Sequence, residues 1–437
     1  MRKGFIFSQN RCVGCNACSA ACILENGWTI KPRNVYQFNR ILSPSVQIVN
    51  ISLACSHCDN PVCLSGCPSR AYYREPESQA IVIRSENCLG CNYCKWNCPY
   101  DAPKSEPLSL LIEKCNLCYK LVNEGLKPAC ASACPTGALD FGPISDIPDN
   151  NWMTMFPDKK LNPSIEFSGK KESSPLKIVP EQLFDNDEPA QGIIEKGMIG
   201  EWSLVAFSSL ITLSSAIMVA GLIKGVFPEI GIILPLIISA GIFSLFHLRK
   251  KINAWRAVLN ILSSPLSREI ALYIMYTLLT ATALITGNTI LLIIASVTGI
   301  ILLIAIDSVY TYADNRNNVR FHSGQSFLTG LLIASFLAGQ IFPFVLVALI
   351  KLISGISNIK RSSPLAGLRF MRLALLVTSG ICITTGISYP DRVITFLFLA
   401  GELLDRILFY SDFDPLNIKS ISSTLYNSSH YEEERSK

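Results

Sequence analysis

The chain is 437 residues long, carries a formal net charge of +5, and holds 17 cysteines. Its mean hydropathy is +0.35 and only 16% of its residues are charged, against about 25% in a soluble domain. The length excludes a small disulfide-stapled secreted domain, the hydropathy excludes a wholly soluble enzyme, and so many cysteines are foreign to a plain membrane protein.

The first residues, Met1-Arg2-Lys3-Gly4-Phe5, run into a cysteine group without the apolar core of a cleavable signal peptide and without a twin-arginine signal. All cysteines but Cys382 precede Pro135, in four sets of four. Cys12, Cys15, Cys18 and Cys22 are spaced C-x2-C-x2-C-x3-C. Cys55, Cys58, Cys63 and Cys67 follow C-x2-C-x4-C-x3-C-P. Cys88, Cys91, Cys94 and Cys98 repeat the first spacing with a closing proline, and Cys115, Cys118, Cys130 and Cys134 read C-x2-C-x11-C-x3-C-P.

This spacing suits a cubane cluster. A tight loop turns three sulfurs inward, and the fourth, opening a helix, ligates a different cluster. Strand signals at 4–7, 48–51, 71–73, 80–83 and 138–141 fall where such modules need them. The expected fold is α+β: a double ferredoxin-like domain over 1–142, made of two interleaved 2[4Fe–4S] modules. Disulfides do not explain four repeated C-x2-C groups. Zinc usually takes two such pairs, without a third cysteine at x2. His57 lies inside a saturated group, so a place beside the cluster ligands or on the surface is expected. Arg11, Lys95, Lys104 and Lys114 flank cysteines and either raise cluster potentials or are plain solvated residues.

Three segments, CSHCDNPVC at 55–63, CLGCNYCKWNCPYDAP at 88–103 and KCNLC at 114–118, resemble the four-cluster electron-transfer subunit of dimethyl sulfoxide reductase-type molybdoenzymes over about residues 1–145. The resemblance implies four ligand sets. They are Cys12, Cys15, Cys18, Cys134; Cys22, Cys115, Cys118, Cys130; Cys55, Cys58, Cys63, Cys98; and Cys67, Cys88, Cys91, Cys94. Four clusters of net charge about −2 each bring the assembled chain to about −3.

Residues 143–200 are polar and rich in Pro, Ser and charge, which predicts a linker or partner-wrapping arm. From 201 to 412 the apolar runs predict an all-α bundle of eight transmembrane helices near 202–224, 228–248, 269–287, 289–310, 323–340, 342–359, 368–388 and 391–410. A polar tail, 413–437, follows. Eight spans put Arg249, Lys250, Lys251, Arg256, Arg268, Arg316, Arg320, Lys360, Arg361, Arg369 and Arg372 on the side of the N-terminal domain, leaving Lys224 and Arg392 opposite. The positive-inside rule makes the first face cytoplasmic, on the cell (inner) membrane.

EWSLVAF at 201–207, FHL at 246–248, AWRA at 254–257, LSREI at 266–270 and GELLDR at 401–406 resemble the dimethyl sulfoxide reductase anchor subunit, an eight-helix quinol-interacting protein, over about 200–415. Arg249 and Lys251 replace the glycine and proline usual after the His-Leu pair of that family. The chain then reads as a fusion of two subunits. It would pass electrons between membrane quinone or quinol and a separate molybdopterin catalytic chain. Its partners would be that chain, membrane lipid and the quinone pool, with no nucleic acid.

Quinol oxidation releases protons, so ionisable residues at the helix ends are the quinone candidates: His247 and Glu269, then Arg256 and Asp307. Glu402 and Arg406, at i and i+4, suggest a structural pair. Cys382 reads as packing. The competing readings are a zinc-binding membrane scaffold without electron transfer, and an ion-translocating anchor, kept open by Glu402 and Asp405 within a helix.

Overall fold

The computed structural model describes residues 2–38, 48–146, 161–168, 202–313, 322–359, 365–384 and 392–413. Glu201, Arg316, Arg320, Lys360, Arg361 and the tail from 414 lie outside these residues, as do the side chains of Cys382 and Arg392. The chain divides into two units. Of the described residues, one unit takes 2–168 and 249–263, and the other takes 202–248 and 264–413.

In chain order the first unit has β1 (Arg2–Ser8), α1 (Ala17–Asn26), β2 (Asn34–Phe38), β3 (Val49–Leu53), α2 (Val62–Gly66), β4 (Tyr72–Arg74), β5 (Ile81–Ile83), α3 (Tyr93–Asn97), β6 (Lys104–Ser105), β7 (Ile112–Glu113), α4 (Tyr119–Asn123), α5 (Ala129–Ser132), β8 (Leu139–Ile144) and β9 (Ile165–Ser168). A three-stranded sheet, ordered β8-β1-β9, joins its two ends. Alternation drives it: Phe5 and Phe7 point into the core, Phe5 opposite Phe141 and Phe7 opposite Leu139. The Phe5 and Phe141 rings meet edge to face at 5.6 Å.

The third strand comes from the stretch read as linker. Leu161, Ile165 and Phe167 are buried, and β9 runs parallel to β1. Residues 161–168 are thus part of the domain, because three apolar side chains recur there within a polar context. The predicted boundary at 142 falls inside β8.

Three hairpins complete the unit: β2-β3, β4-β5 and β6-β7. The last two share a turn device. Glu75 accepts the Ser78 N–H at 2.6 Å, and Glu106 accepts the Ser109 N–H at 2.5 Å. Both turns read Glu-Pro-x-Ser, and the carboxylate closes each by satisfying backbone donors. The Ser109 N–H and hydroxyl, with the Leu108 N–H, depress Glu106 to about 2.

The second unit contains α6 (Trp202–Lys224), α7 (Ile230–Phe246), α8 (Pro265–Thr286), α9 (Thr289–Ala313), α10 (Ser326–Ala338), α11 (Ile341–Ile359), α12 (Ala366–Thr384) and α13 (Arg392–Asp412). Ser264 caps α8, with Pro265 at its first turn and Gly287 closing it at φ 64°. The run 323–359 breaks at Gly339, which takes φ 70°, so α10 and α11 are separate helices.

The eight-span expectation needs correction. Among the described residues, three helices, α6, α8 and α9, are long and apolar enough to cross a membrane, or up to four if α7 and the short helix after it count as one broken span. Length and charge explain the shortfall. The 13 residues of α10 rise about 20 Å, short of a roughly 30 Å core. Arg369 and Arg372 interrupt α12, and Glu402, Asp405 and Arg406 interrupt α13.

Candidate cluster-binding and membrane sites

The first C-x2-C step of each group folds alike. The residue before the second cysteine takes a positive φ in all four groups: Gly14 (71°), His57 (44°), Gly90 (67°) and Leu117 (67°). Glycine adopts this region freely, whereas His57 and Leu117 hold it under strain. The turn aims a backbone N–H at the first sulfur. His57 N donates to Cys55 Sγ at 3.5 Å, Gly90 N to Cys88 Sγ at 3.3 Å and Leu117 N to Cys115 Sγ at 3.4 Å.

These loops bring cysteines from different groups together. Cys12, Cys15, Cys18 and Cys134 line one cavity. Cys22 neighbours Cys118 and Cys130, and Cys115 faces Cys22 and Cys130. Cys58 sits with Cys55, Cys63 and Cys98. Cys94 sits with Cys67, Cys88 and Cys91. Adjoining sets touch electrostatically through Cys18 and Cys22, Cys55 and Cys115, and Cys63 and Cys67, so the four follow one another in a row.

Among the described residues, no three His, Cys, Asp or Glu side chains converge closely enough to grip a single ion. In the first set the sulfurs surround a space instead. Burial pushes Cys22, Cys91 and Cys98 up to about 12, and repulsion from neighbouring cysteines adds to it. Such thiols ionise only against a positive charge placed among them. Four thiols around one cavity, with further buried thiols gathered beside it, are donor sets that fit iron–sulfur cores.

Two cations are buried beside them. Arg33 is 1% exposed. It donates to Ser52 O at 3.3 Å, lies over the Phe5 ring at 4.6 Å, and faces Cys130, Cys115, Cys18 and Cys22. Lys114 donates to Cys55 Sγ at 3.4 Å, to Cys115 O at 2.8 Å and to Ile81 O. The other flanking cations do less. Arg11 is exposed, Lys95 bonds Ser105, and Lys104 pairs with Asp101. His57 is buried, and its Nδ1 accepts the Ile81 N–H at 3.0 Å. Burial, with Lys114 and Arg33 nearby, holds its ring well below the usual histidine range, hence neutral. A neutral ring accepting at Nδ1 carries its proton on Nε2.

Arg256 belongs to the cysteine-bearing unit, in the short helix Lys251–Val258, with its guanidinium 5.2 Å from the Trp255 ring centre. The other quinone candidates lie in the helical unit. His247 follows α7 as its C-terminal cap and is half-buried. Glu269 is buried in the first turns of α8, within electrostatic range of Arg406 and Asp307. Asp307 is engaged within the fold. Its carboxylate accepts the Ser326 and Phe327 N–H groups at 2.8 and 2.9 Å, starting α10, and pairs with Arg406 at 3.4 Å.

The pairing of Glu402 with Arg406 does not form. Glu402 pairs with Lys351 of α11, and Arg406 turns to Asp307, Ser208 Oγ (2.9 Å) and Gly324 O (3.0 Å). Cations and acceptors from other helices outcompete the local i, i+4 neighbour. Lys351 also reaches Asp405 at 3.2 Å, which holds Arg372 at 2.6 Å, while Asp412 bridges His322 (3.0 Å) and Arg369 (2.5 Å).

Comparison with known proteins bears on the first unit. A family model described as a 4Fe-4S dicluster domain matches residues 46–144. The probable anaerobic dimethyl sulfoxide reductase chain YnfG of Escherichia coli is 35% identical over 154 residues, which span 33% of this sequence and 75% of that protein. A subunit of the sulfite dehydrogenase of Allochromatium vinosum is 29% identical over 215 residues, 42% of this sequence and 89% of that one. A subunit of the tetrathionate reductase of Salmonella typhimurium is 36% identical over 149 residues, 33% and 59% of the two sequences. Through this N-terminal part, the protein belongs to the dimethyl sulfoxide reductase family of iron–sulfur subunits.

Proposed function

We propose that this chain is the electron-transfer and membrane-anchor subunit of a molybdopterin oxidoreductase complex, passing electrons between membrane quinone and a separate catalytic chain. The observation that carries the reading is the gathering of sixteen cysteines into four sets within a chain whose second half is apolar helix. The sets would bind four [4Fe–4S] clusters: Cys12, Cys15, Cys18, Cys134; Cys22, Cys115, Cys118, Cys130; Cys55, Cys58, Cys63, Cys98; and Cys67, Cys88, Cys91, Cys94. When bound, such clusters supply one-electron transfer. The chain's own part is to hold the ligands, direct N–H groups at sulfur and bury Arg33 and Lys114 nearby.

For quinone, the reading favours His247 and Glu269, an imidazole and a carboxylate able to exchange protons where quinol is oxidised. Arg256 is a further candidate, whereas Asp307 is occupied at both oxygens. Arg249, Lys250 and Lys251 between α7 and α8 support a cytoplasmic place for that loop and for the unit it folds with. The relatives' names include reductases and a dehydrogenase, so electron flow in either direction suits the same parts. The experiment is iron and zinc analysis of the purified protein, then quinol-analogue oxidation by the assembled complex. The expected protein is brown, with about sixteen irons, and His247→Ala slows quinol oxidation. A colourless protein with stoichiometric zinc refutes the reading, and an unchanged rate in the variant removes His247 from the site.

A second reading, an ion-translocating anchor, draws on the buried series of Glu402, Lys351, Asp405 and Arg372, since ionisable groups inside a membrane bundle mark ion paths. Proteoliposomes that build no pH gradient during quinol turnover would dismiss it.

A further inference from the structure

The segment 249–263 connects α7 to α8 in sequence but folds with the cysteine-bearing unit. Its bonds explain why. The N–H groups of Arg249 and Lys250 both donate to Leu89 O at 3.1 Å. Lys250 Nζ donates to Glu86 O at 3.2 Å. The Asn253 amide donates to Glu86 O at 2.7 Å and to Cys88 O at 3.4 Å. The Asn260 amide donates to Ser65 O and Cys67 O, each at 2.9 Å. Gly90 lets the segment come close, because a Cβ there would stand 2.7 Å from Arg249 Cβ.

All these acceptors lie in 65–67 and 86–89, beside Cys67 and Cys88. Those cysteines share a set with Cys91 and Cys94, the set at the end of the row. A carboxamide nitrogen has two N–H donors, and Asn260 spends both on adjacent ligand-loop carbonyls. Asn260 is itself buried, so without it Ser65 O would lose this donor and Cys67 O would be left with the longer bond from the Arg70 N–H, at 3.4 Å. Such freed carbonyl dipoles add negative potential at the centre.

We propose that Asn260, seconded by Asn253, is a positioning residue for the centre held by Cys67, Cys88, Cys91 and Cys94, and that segment 249–263 is a clamp on this one centre. The inference rests on the four-cluster reading above. Both amides hold the ligand loops by their backbone, so their removal loosens one centre while leaving the distant sets as they were.

The test is a redox titration followed by electron paramagnetic resonance, on the full-length protein in its membrane, with Asn260→Ala, Asn260→Asp and Asn253→Ala. Iron content is measured alongside. The expected result is a downward shift of one midpoint potential out of four, larger for Asn260→Asp, whose carboxylate repels the carbonyls, than for Asn260→Ala. Hydrogen exchange at residues 65–67 and 86–90 should rise in the same variants. Wild-type iron with four unmoved potentials overturns the proposal, as does a uniform shift of all four. A wild-type protein without iron overturns the cluster reading and the proposal together. If Asn260→Ala fails to assemble, Asn253→Ala decides by the same criteria.

Discussion

Replacing Lys351 by methionine tests whether the helical half is held together by buried ions. Lys351 is fully buried on α11. It is paired with Glu402 of α13, 3.2 Å from Asp405 and 2.7 Å from Thr329 Oγ1 of α10. One ammonium thus joins three helices. Methionine keeps much of the volume, so the change is chiefly one of charge. Asp405 retains Arg372 at 2.6 Å and Ser323 Oγ at 2.7 Å, but Glu402 loses its cation. Stranding one member of a buried pair costs about 3–5 kcal/mol. Neutralising both members is nearly neutral by comparison, so the double variant Lys351→Met with Glu402→Gln should recover most of the loss, with a coupling of about 2–3 kcal/mol. Unfolding of the purified protein in mixed detergent micelles, followed by circular dichroism, compares the wild type with the single and double variants. A single variant weakened by less than about 1 kcal/mol, or a double variant no better than the single, would refute the reasoning.

Two further outcomes follow from the same geometry. Arg33→Met should lower the midpoint potential of the centre held by Cys22, Cys115, Cys118 and Cys130, because an added electron is less welcome once a buried positive charge is gone; a redox titration in which that potential stays put or rises would contradict the assignment. Asp307→Asn should lower stability by about 2 kcal/mol, the scale of hydrogen bonds to a charged group, while leaving KM for a quinol analogue unchanged; a raised KM at unchanged stability would return Asp307 to the quinone site.

The cysteine spacing made the ferredoxin-like half legible, because ligand geometry leaves few alternatives once C-x2-C-x2-C-x3-C repeats. The β4-β5 hairpin was equally plain, since its turn carries the chemistry that closes it. Other parts were hidden for physical reasons. β9 lies in a polar stretch, and its two inward residues, Ile165 and Phe167, reveal themselves only against β1. Arg33 lies between cysteine groups in sequence, and its burial depends on Ser52 and Phe5 from elsewhere. In the helical half, hydropathy located the helices but overstated how many can span. Local averages cannot weigh a 13-residue α10 against membrane thickness. The i, i+4 spacing of Glu402 and Arg406 misled for a related reason, because helix periodicity knows nothing of Lys351 on α11. Lys351 itself was visible, a lone charge in the apolar run 341–356, and such a charge implies a buried partner on another helix.

Both halves bury cations, and the contrast in how they are neutralised separates their folding. Lys351, Arg372 and Arg369 meet carboxylates of the same chain, so the helical half carries its countercharge with it. Arg33 and Lys114 meet thiols instead, and burial pushes those of Cys22, Cys63 and Cys115 up. On the cluster reading, an iron core would turn these cysteines into thiolates and so supply the countercharge. The two Glu-Pro-x-Ser turns and the β8-β1-β9 sheet can form in any chain of this sequence, but the loops around His57 and Leu117 must hold strained left-handed residues as well as uncompensated cations. On that reading, a bound cluster would add to the fold as well as to its chemistry. It would supply the countercharge for Arg33 and Lys114, whereas the helical unit holds carboxylates of its own for Lys351, Arg369 and Arg372.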